Sequence, residues 1–84
     1  MTEDQIRDKL ATILIEDFAK DEAIARDGES SFRGDLAMDS LDVVDLVFFI
    51  KQELGVDAKM EAYRDLHTVD KVVHFVLGHL SSDD

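Results

Sequence analysis

The sequence predicts an all-α protein, a small four-helix bundle of which the third helix is short. Three segments carry apolar residues at helical spacing, no segment shows the alternation of a β-strand, and proline is absent. With 84 residues, of which 45% are hydrophobic, the chain is long enough for one core and too short for two. We therefore expect one domain over residues 1–84.

The first helix is expected over residues 3–20. Thr2 and Gln5 have the spacing of a capping box. One apolar stripe follows, formed by Ile6, Leu10, Ile13, Leu14 and Phe18. Glycine and serine then concentrate in residues 27–35, which predicts a loop. Leu36 and Met38 are expected to return from this loop to the core.

The second helix is expected to begin at Asp39 or Ser40 and to end near Leu54, with Gly55 as its stop signal. Residues 59–65 are long enough for one or two helical turns. The last helix begins after Thr68, a good N-cap. Its apolar face contains Val69, Val72, Val73, Val76 and Leu80. The tail, residues 81–84, is expected to fray.

The second helix carries more apolar residues than one buried face needs. At about 100° per residue, one face contains Val43, Leu46, Val47, Ile50 and Leu54. A second face contains Leu41, Val44 and Phe48, and Phe49 lies on neither. Two interpretations remain open for the second face. Either the short third helix covers it, or it is an exposed docking surface with an acidic rim formed by Asp35, Asp39, Asp42 and Asp45.

The formal net charge of −11 makes nucleic acid and anionic membranes poor partners, and basic protein surfaces good ones. The same charge could serve solubility alone. Cysteine is absent, which excludes disulfides and thiolate chemistry. We find no secretory signal and no apolar stretch of membrane-spanning length, so a cytoplasmic location is expected. The protein is also expected to be a monomer.

Ser40 is the polar residue placed for distinctive chemistry, because a helix start offers unpaired N–H groups and a positive dipole end. Catalysis is not expected, since the histidines His67, His74 and His79 lie in no recognisable motif. A metal site is not expected either. The acidic residues do not have the register of an EF-hand loop, and the spacing of His74 and His79 does not match a helical zinc pair.

Residues 35–46, DLAMDSLDVVDL, closely resemble the phosphopantetheine attachment region of acyl carrier proteins, which is typically Asp-Leu-Gly-X-Asp-Ser-Leu followed by an acidic and aliphatic helix. Residues 66–76, LHTVDKVVHFV, resemble the last helix of that family with its threonine cap. The first helix and the spacing also fit, so the resemblance covers nearly the whole chain.

The resemblance implies a four-helix bundle without catalytic activity of its own. A phosphopantetheinyl transferase would move 4'-phosphopantetheine from coenzyme A onto Ser40, and the thiol of this covalent arm would carry acyl groups as thioesters for fatty-acid, lipid or polyketide-type biosynthesis. Partners would be acyl-loading, chain-extending or acyl-transfer enzymes with basic docking patches. The family's partner-recognition positions match Asp39, Leu41, Asp42, Val44, Asp45 and Phe48.

Two other classes remain open at the level of sequence. One is a carrier of aminoacyl, D-alanyl or peptidyl groups, although Asp39 stands where peptidyl carriers often have histidine or glycine. The other is an acidic adaptor that binds basic partners through its second helix and is never modified. A test of whether phosphopantetheine can be added to Ser40 distinguishes the unmodified adaptor from both kinds of carrier.

Departures from the family pattern predict a specialised carrier. Ala37 stands where glycine is usual, and Lys51 and Gln52 occupy positions that are acidic in typical fatty-acid carriers. Lys59 stands where the family often has a proline, and Ala58 stands where it has a larger apolar residue. We expect a housekeeping ketosynthase to use this protein less well than its own carrier, as measured by exchanging the two in one assay. Equal use of both carriers would contradict the hypothesis.

Overall fold

The computed structural model describes residues 1–81, with side chains as far as residue 80. The elements are α1 (Glu3–Glu16), α2 (Glu22–Arg26), α3 (Ser40–Leu54), a 3₁₀ helix (Met60–Tyr63) and α4 (Val69–Ser81). Helix α1 packs against α2, α3 and α4, while the 3₁₀ helix packs against α3. The predicted all-α class is confirmed: the described residues form no β-strand, only one isolated bridge between Ser31 and Thr68.

The start of α1 is as predicted, but its end is not. The amide of Gln5 donates to Thr2 Oγ1 at 3.2 Å, and the amide of Thr2 donates to Gln5 Oε1 at 2.9 Å, which completes the capping box. The helix ends at Glu16 rather than at residue 20. Ala19 adopts a left-handed backbone with φ of 55°, a conformation incompatible with continuing the helix.

Helix α2 is an element that the sequence analysis missed. Its N-cap, Asp21, accepts a hydrogen bond from the amide of Ile24 at 3.2 Å. Arg26 then pairs with Glu22 at 3.2 Å and with Asp8 of α1 at 3.1 Å. Five residues are too few for a periodic apolar stripe, so the cap was the local signal.

The later elements begin and end close to the predicted residues. Gly55 ends α3 in the left-handed region, with φ of 74°, and Thr68 Oγ1 accepts from the amide of Lys71 at 3.3 Å. The predicted third helix is a 3₁₀ helix of four residues. Of the tail expected to fray, Ser81 is the last residue of α4, and residues 82–84 lie outside the described part of the chain.

The loop between α2 and α3 is held to the segment before α4 by backbone hydrogen bonds. The amide of Phe32 donates to the carbonyl of His67 at 3.0 Å, and the amide of Val69 donates to that of Ser30 at 3.1 Å. The side chains of Phe32, Leu36 and Met38 are buried in the core, so the loop is anchored on its inner side. Burial of Leu36 and Met38 confirms that the chain returns to the core before α3.

An ion pair links α1 to α4 beside this loop. Arg7 Nη1 lies 2.5 Å from Asp70 Oδ1, and this hydrogen bond raises the pKa of Arg7 above its usual value. The amide of Asp70 donates to the carbonyl of Gly28 at 2.9 Å. A Cβ at Gly28 would lie only 2.1 Å from the Asp70 carboxylate, so the close approach of loop and helix requires glycine there.

Tyr63 is a buried residue with an unusual hydroxyl. The side chain packs against the ring of Phe75, with ring centroids 5.2 Å apart. Its hydroxyl is buried and has no hydrogen-bond partner among the described residues. Burial raises the pKa of Tyr63 above its ordinary value, because removal from water disfavours the phenolate.

The raised pKa of Tyr63 predicts a loss of stability at alkaline pH. The neutral phenol stabilises the fold below pH about 10, and this contribution is lost as the pH rises through the raised pKa of the folded state. Tyr63→Phe should remove that loss. It should also leave stability at neutral pH unchanged or raise it. The reason is that it deletes a buried hydroxyl whose lack of a hydrogen-bond partner costs about 1–3 kcal/mol.

The measurements are urea unfolding of both proteins between neutral and alkaline pH and a spectrophotometric titration of the phenol. Tyr63 is the only tyrosine and tryptophan is absent, so the phenolate signal belongs to one residue. Titration at the ordinary pKa would show that the hydroxyl is in contact with water, and a clear destabilisation by Tyr63→Phe at neutral pH would show that it has a hydrogen-bond partner.

Candidate functional site

Ser40 is the first residue of α3, and its neighbours provide the helix cap. The amide of Asp42 donates to Asp39 Oδ1 at 2.9 Å, and the amide of Asp39 donates to Asp42 Oδ2 at 3.2 Å. A cap of this type contributes about 1 kcal/mol. Because the Asp39 carboxylate serves as the cap, the Ser40 hydroxyl has no capping role and the side chain stays exposed.

The residues before Ser40 take a constrained path. Met38 is buried, and its amide donates to the carbonyl of Phe32 at 2.7 Å. Ala37 has a left-handed backbone with φ of 50°, where glycine would fit without the strain of about 1–2 kcal/mol that a Cβ causes. This strain gives a physical reason for the glycine that is usual at this place in the resembling sequences.

Arg33 lies beside Ser40, and sequence analysis did not identify it. Its Nη2 donates to Ser40 Oγ at 3.3 Å across seven residues of sequence. The sequence signal was limited to one arginine in a glycine-containing loop of an acidic chain. The contact depends on how the loop folds back toward α3, which no local pattern specifies.

The second apolar face of α3 is exposed. The exposed fractions are 74% for Leu41, 47% for Val44 and 56% for Phe48, so the 3₁₀ helix does not cover this face. We call these three residues the apolar patch. Phe49, the next residue, is half-buried, and its ring packs edge-on against Phe18 with centroids 5.7 Å apart.

The opposite face of α3 belongs to the core. Leu46, Ile50 and Leu54 are buried, as predicted, and Val43 and Val47 are half-buried. Helix α3 therefore presents one face to the protein interior and a second, apolar face to solvent.

The four acidic residues around the apolar patch differ in their local roles. Asp39 and Asp42 form the cap, and Asp35 accepts from the amide of Ser31 at 3.0 Å, which stabilises the loop. Asp45 is exposed, and its carboxylate makes no hydrogen bond or ion pair within residues 1–81. All four contribute negative charge to this end of the molecule, but three of them also hold local structure.

A cavity of about 340 Å³ lies between α3 and the 3₁₀ helix, and Ser40 is on its rim. Its walls are mainly apolar, and two arginines, Arg33 and Arg64, also line it. The residues from α3 and the 3₁₀ helix that line it are Ser40, Val43, Val44, Leu46, Val47, Met60, Glu61 and Tyr63. This cavity offers space for an apolar chain attached near Ser40.

The histidines form no cluster with Ser40. His67 lines the same cavity, whereas His74 lies 3.4 Å from Glu3 on the α1–α4 side. The hydrogen bond of the Ser40 hydroxyl is with Arg33, which does not act as a base at neutral pH. Within residues 1–81, no group of three metal-ligating side chains is close enough to hold a metal ion.

The structure also bears on membrane insertion. Among the helices of residues 1–81, none combines the length and the apolar character that crossing a bilayer requires.

Comparison with known proteins identifies the family. The family model for the phosphopantetheine attachment site matches residues 4–76. The acyl carrier protein of Petrotoga mobilis is 33% identical over 85 aligned residues, covering 100% of this chain and 98% of that protein. The acyl carrier protein of Cyanidioschyzon merolae is 33% identical over 82 residues, covering 98% of this chain and 89% of that protein.

A third relative matches a shorter part. The acyl carrier protein of Treponema pallidum is 42% identical over 48 residues, which is 57% of this chain and 62% of that protein. The family model spans the chain from the first turn of α1 into α4, and the two full-length relatives are both acyl carrier proteins. The chain belongs to the acyl carrier protein family, whose cofactor is 4'-phosphopantetheine.

Proposed function

We propose that Ser40 is the residue to which 4'-phosphopantetheine is attached, and that residues 1–84 act as one carrier domain for acyl groups. The observation that carries the proposal is the exposed Ser40 hydroxyl, which the Asp39 cap leaves available at the first residue of α3. The thiol of the bound arm would hold the acyl group as a thioester. The protein itself would carry out no catalysis.

The surroundings of Ser40 suit the cofactor in three respects. The hydroxyl is exposed, so a transferase can reach it. The arm joins the protein through an anionic phosphodiester, which the positive end of the α3 dipole favours by about 0.3–1 kcal/mol. The mainly apolar cavity next to Ser40 offers space for an attached chain.

Modification would proceed by attack of Ser40 Oγ on the phosphorus of coenzyme A that bears the pantetheine group. The new Oγ–P bond replaces the pyrophosphate P–O bond, and the nucleotide portion of coenzyme A leaves. The hydroxyl proton passes to a base of the transferase, because the partner of Ser40 in this protein is an arginine. The chain's own contribution is therefore presentation of the hydroxyl.

We propose that partner enzymes dock on the apolar patch and its acidic rim. The patch supplies apolar area, and the net charge of −11 would attract enzymes with basic surfaces and speed their encounter. At the far end of α3, Lys51 pairs with Asp57 at 3.6 Å, which reduces the negative charge there. This distribution supports a specialised set of partners.

Attachment to Ser40 can be tested by mass spectrometry. Incubation with coenzyme A and a broad-specificity phosphopantetheinyl transferase should add the mass of one phosphopantetheine to the wild type and none to Ser40→Ala. The fold of the variant should be unaffected, with a change in unfolding free energy within about 0.5 kcal/mol, because the hydroxyl is exposed and does not cap the helix.

Two outcomes would contradict the proposal. A mass gain that persists in Ser40→Ala would place the arm elsewhere, and the absence of any gain in the folded wild type would favour the unmodified adaptor. Urea unfolding of both proteins provides the control for folding.

The neighbouring residues Phe48 and Phe49 allow a matched test of the docking surface. Phe48→Ala should raise the KM of the transferase for this protein by about fivefold, since loss of an interface side chain often costs about 1 kcal/mol. Its stability should change little, because Phe48 is 56% exposed and its ring meets that of Phe49 only edge-on, with centroids 6.1 Å apart. Phe49→Ala should lower the free energy of unfolding by about 1–3 kcal/mol, because its half-buried ring packs on Phe18, and should leave the KM nearly unchanged.

Transferase kinetics and urea unfolding give the two readouts for each variant. An equal KM for Phe48→Ala and wild type, in a normally folded variant, would show that the apolar patch does not contact the transferase.

A further inference from the structure

We propose that Arg33 binds the phosphodiester of the arm on Ser40 and so sets the direction in which the arm leaves the protein. The inference rests on the proposed attachment to Ser40 and adds a positioning residue that the family comparison does not supply. Its basis is the hydrogen bond from Arg33 Nη2 to Ser40 Oγ, 3.3 Å long.

The geometry suits a phosphate at this position. A phosphorus bonded to Ser40 Oγ carries its two non-bridging oxygens one bond further from the protein. A guanidinium already in contact with Oγ can reach these oxygens by rotating its exposed side chain. Arginine presents several N–H donors in a planar fork that matches two oxygens of one phosphate, and such charge-assisted bonds are among the stronger hydrogen bonds in proteins.

Arg33 is also available for this role. Arg7 is paired with Glu3 and Asp70, and Arg26 is paired with Asp8 and Glu22. By contrast, Arg33 and Arg64 form no ion pair in the part of the chain that the structure describes, although 20 acidic side chains are present in the whole chain. Both arginines line the cavity, and Arg33 is the one that donates to the Ser40 hydroxyl.

The surrounding negative charges favour a cation at this site. Asp39 and Asp42 lie on either side of Ser40 in sequence, and their carboxylates already accept the nearby N–H groups of the cap. An added phosphodiester would meet these two carboxylates at short range, and the helix dipole offsets only part of the repulsion. Arg33 supplies the opposite charge within hydrogen-bond distance of the hydroxyl.

Binding at Arg33 would also orient the arm. Arg33 and Ser40 both line the cavity between α3 and the 3₁₀ helix, whereas Leu41 and Phe48 lie outside the cavity lining. A phosphodiester held by Arg33 therefore places the first atoms of the arm at the rim of the cavity, whose lining shares Val44 with the apolar patch. Leu41 and Phe48, the other two residues of the patch, stay uncovered while the arm is attached.

Phosphorus NMR provides a direct test, because the arm contributes the single phosphorus atom of the modified protein. In the modified wild type we expect a correlation through the hydrogen bond between the guanidinium protons of Arg33 and the phosphorus. Arg33→Gln should lose this correlation, shift the phosphorus resonance and narrow it through greater mobility. Arg33→Lys should retain part of the shift, since it keeps the charge but not the fork.

Lys9→Gln is the matched control, because it removes one positive charge from an exposed residue outside the cavity lining. Its phosphorus spectrum should equal that of the wild type. A wild type without the correlation, whose resonance is unchanged in Arg33→Gln, would overturn the role of Arg33 while leaving attachment to Ser40 intact. A wild type that gains no phosphorus signal would instead overturn the proposed function, and the inference with it.

Discussion

The position of the functional site depends on the hydrogen bonds that tie the loop before α3 to the segment before α4. The bonds from Phe32 to His67 and from Val69 to Ser30 join two stretches that are more than thirty residues apart in sequence. With Leu36 and Met38 buried, the loop can reach α3 by only a narrow set of paths. Ser40 and the cavity beside it are therefore placed by the tertiary fold and not by the helix start alone.

Adjacent residues at the start of α3 and further along it have different roles. Asp39 satisfies the helix start, and Ser40 is left with an exposed hydroxyl. Further along, Phe48 faces solvent while Phe49 packs on Phe18. A helix rotates about 100° per residue, so one short helix can hold the core on one side and offer a surface for partners on another. The proposed carrier function uses this division directly.

Local patterns predicted the parts of the structure that depend on local interactions. The capping box of Thr2 and Gln5, the left-handed stop at Gly55 and the core face of Leu46 and Ile50 all follow from residues a few positions apart. The predicted end of α1 was wrong, because the apolar spacing continues to Phe18, whereas the helix ends at Glu16 and the chain takes a left-handed turn at Ala19. Spacing alone does not reveal a change of backbone direction.

The contact of Arg33 with Ser40 lay beyond prediction for a different reason. It requires the loop to fold back on α3, and that path is set by long-range bonds such as Phe32 to His67. The exposure of Leu41, Val44 and Phe48 was one of two open interpretations. Sequence could not decide between them, because the answer depends on where the 3₁₀ helix packs.

The apolar patch has a consequence for the lifetime of complexes. Three exposed side chains offer little area compared with a stable interface, which buries roughly 800 Å² on each partner. Charge attraction raises the association rate of a partner but slows its dissociation much less. A partner held by this patch would therefore dissociate quickly. A protein that must visit several enzymes in turn benefits from short residence on each one. The small size of the patch would then favour rapid exchange among partners over tight binding to any single one.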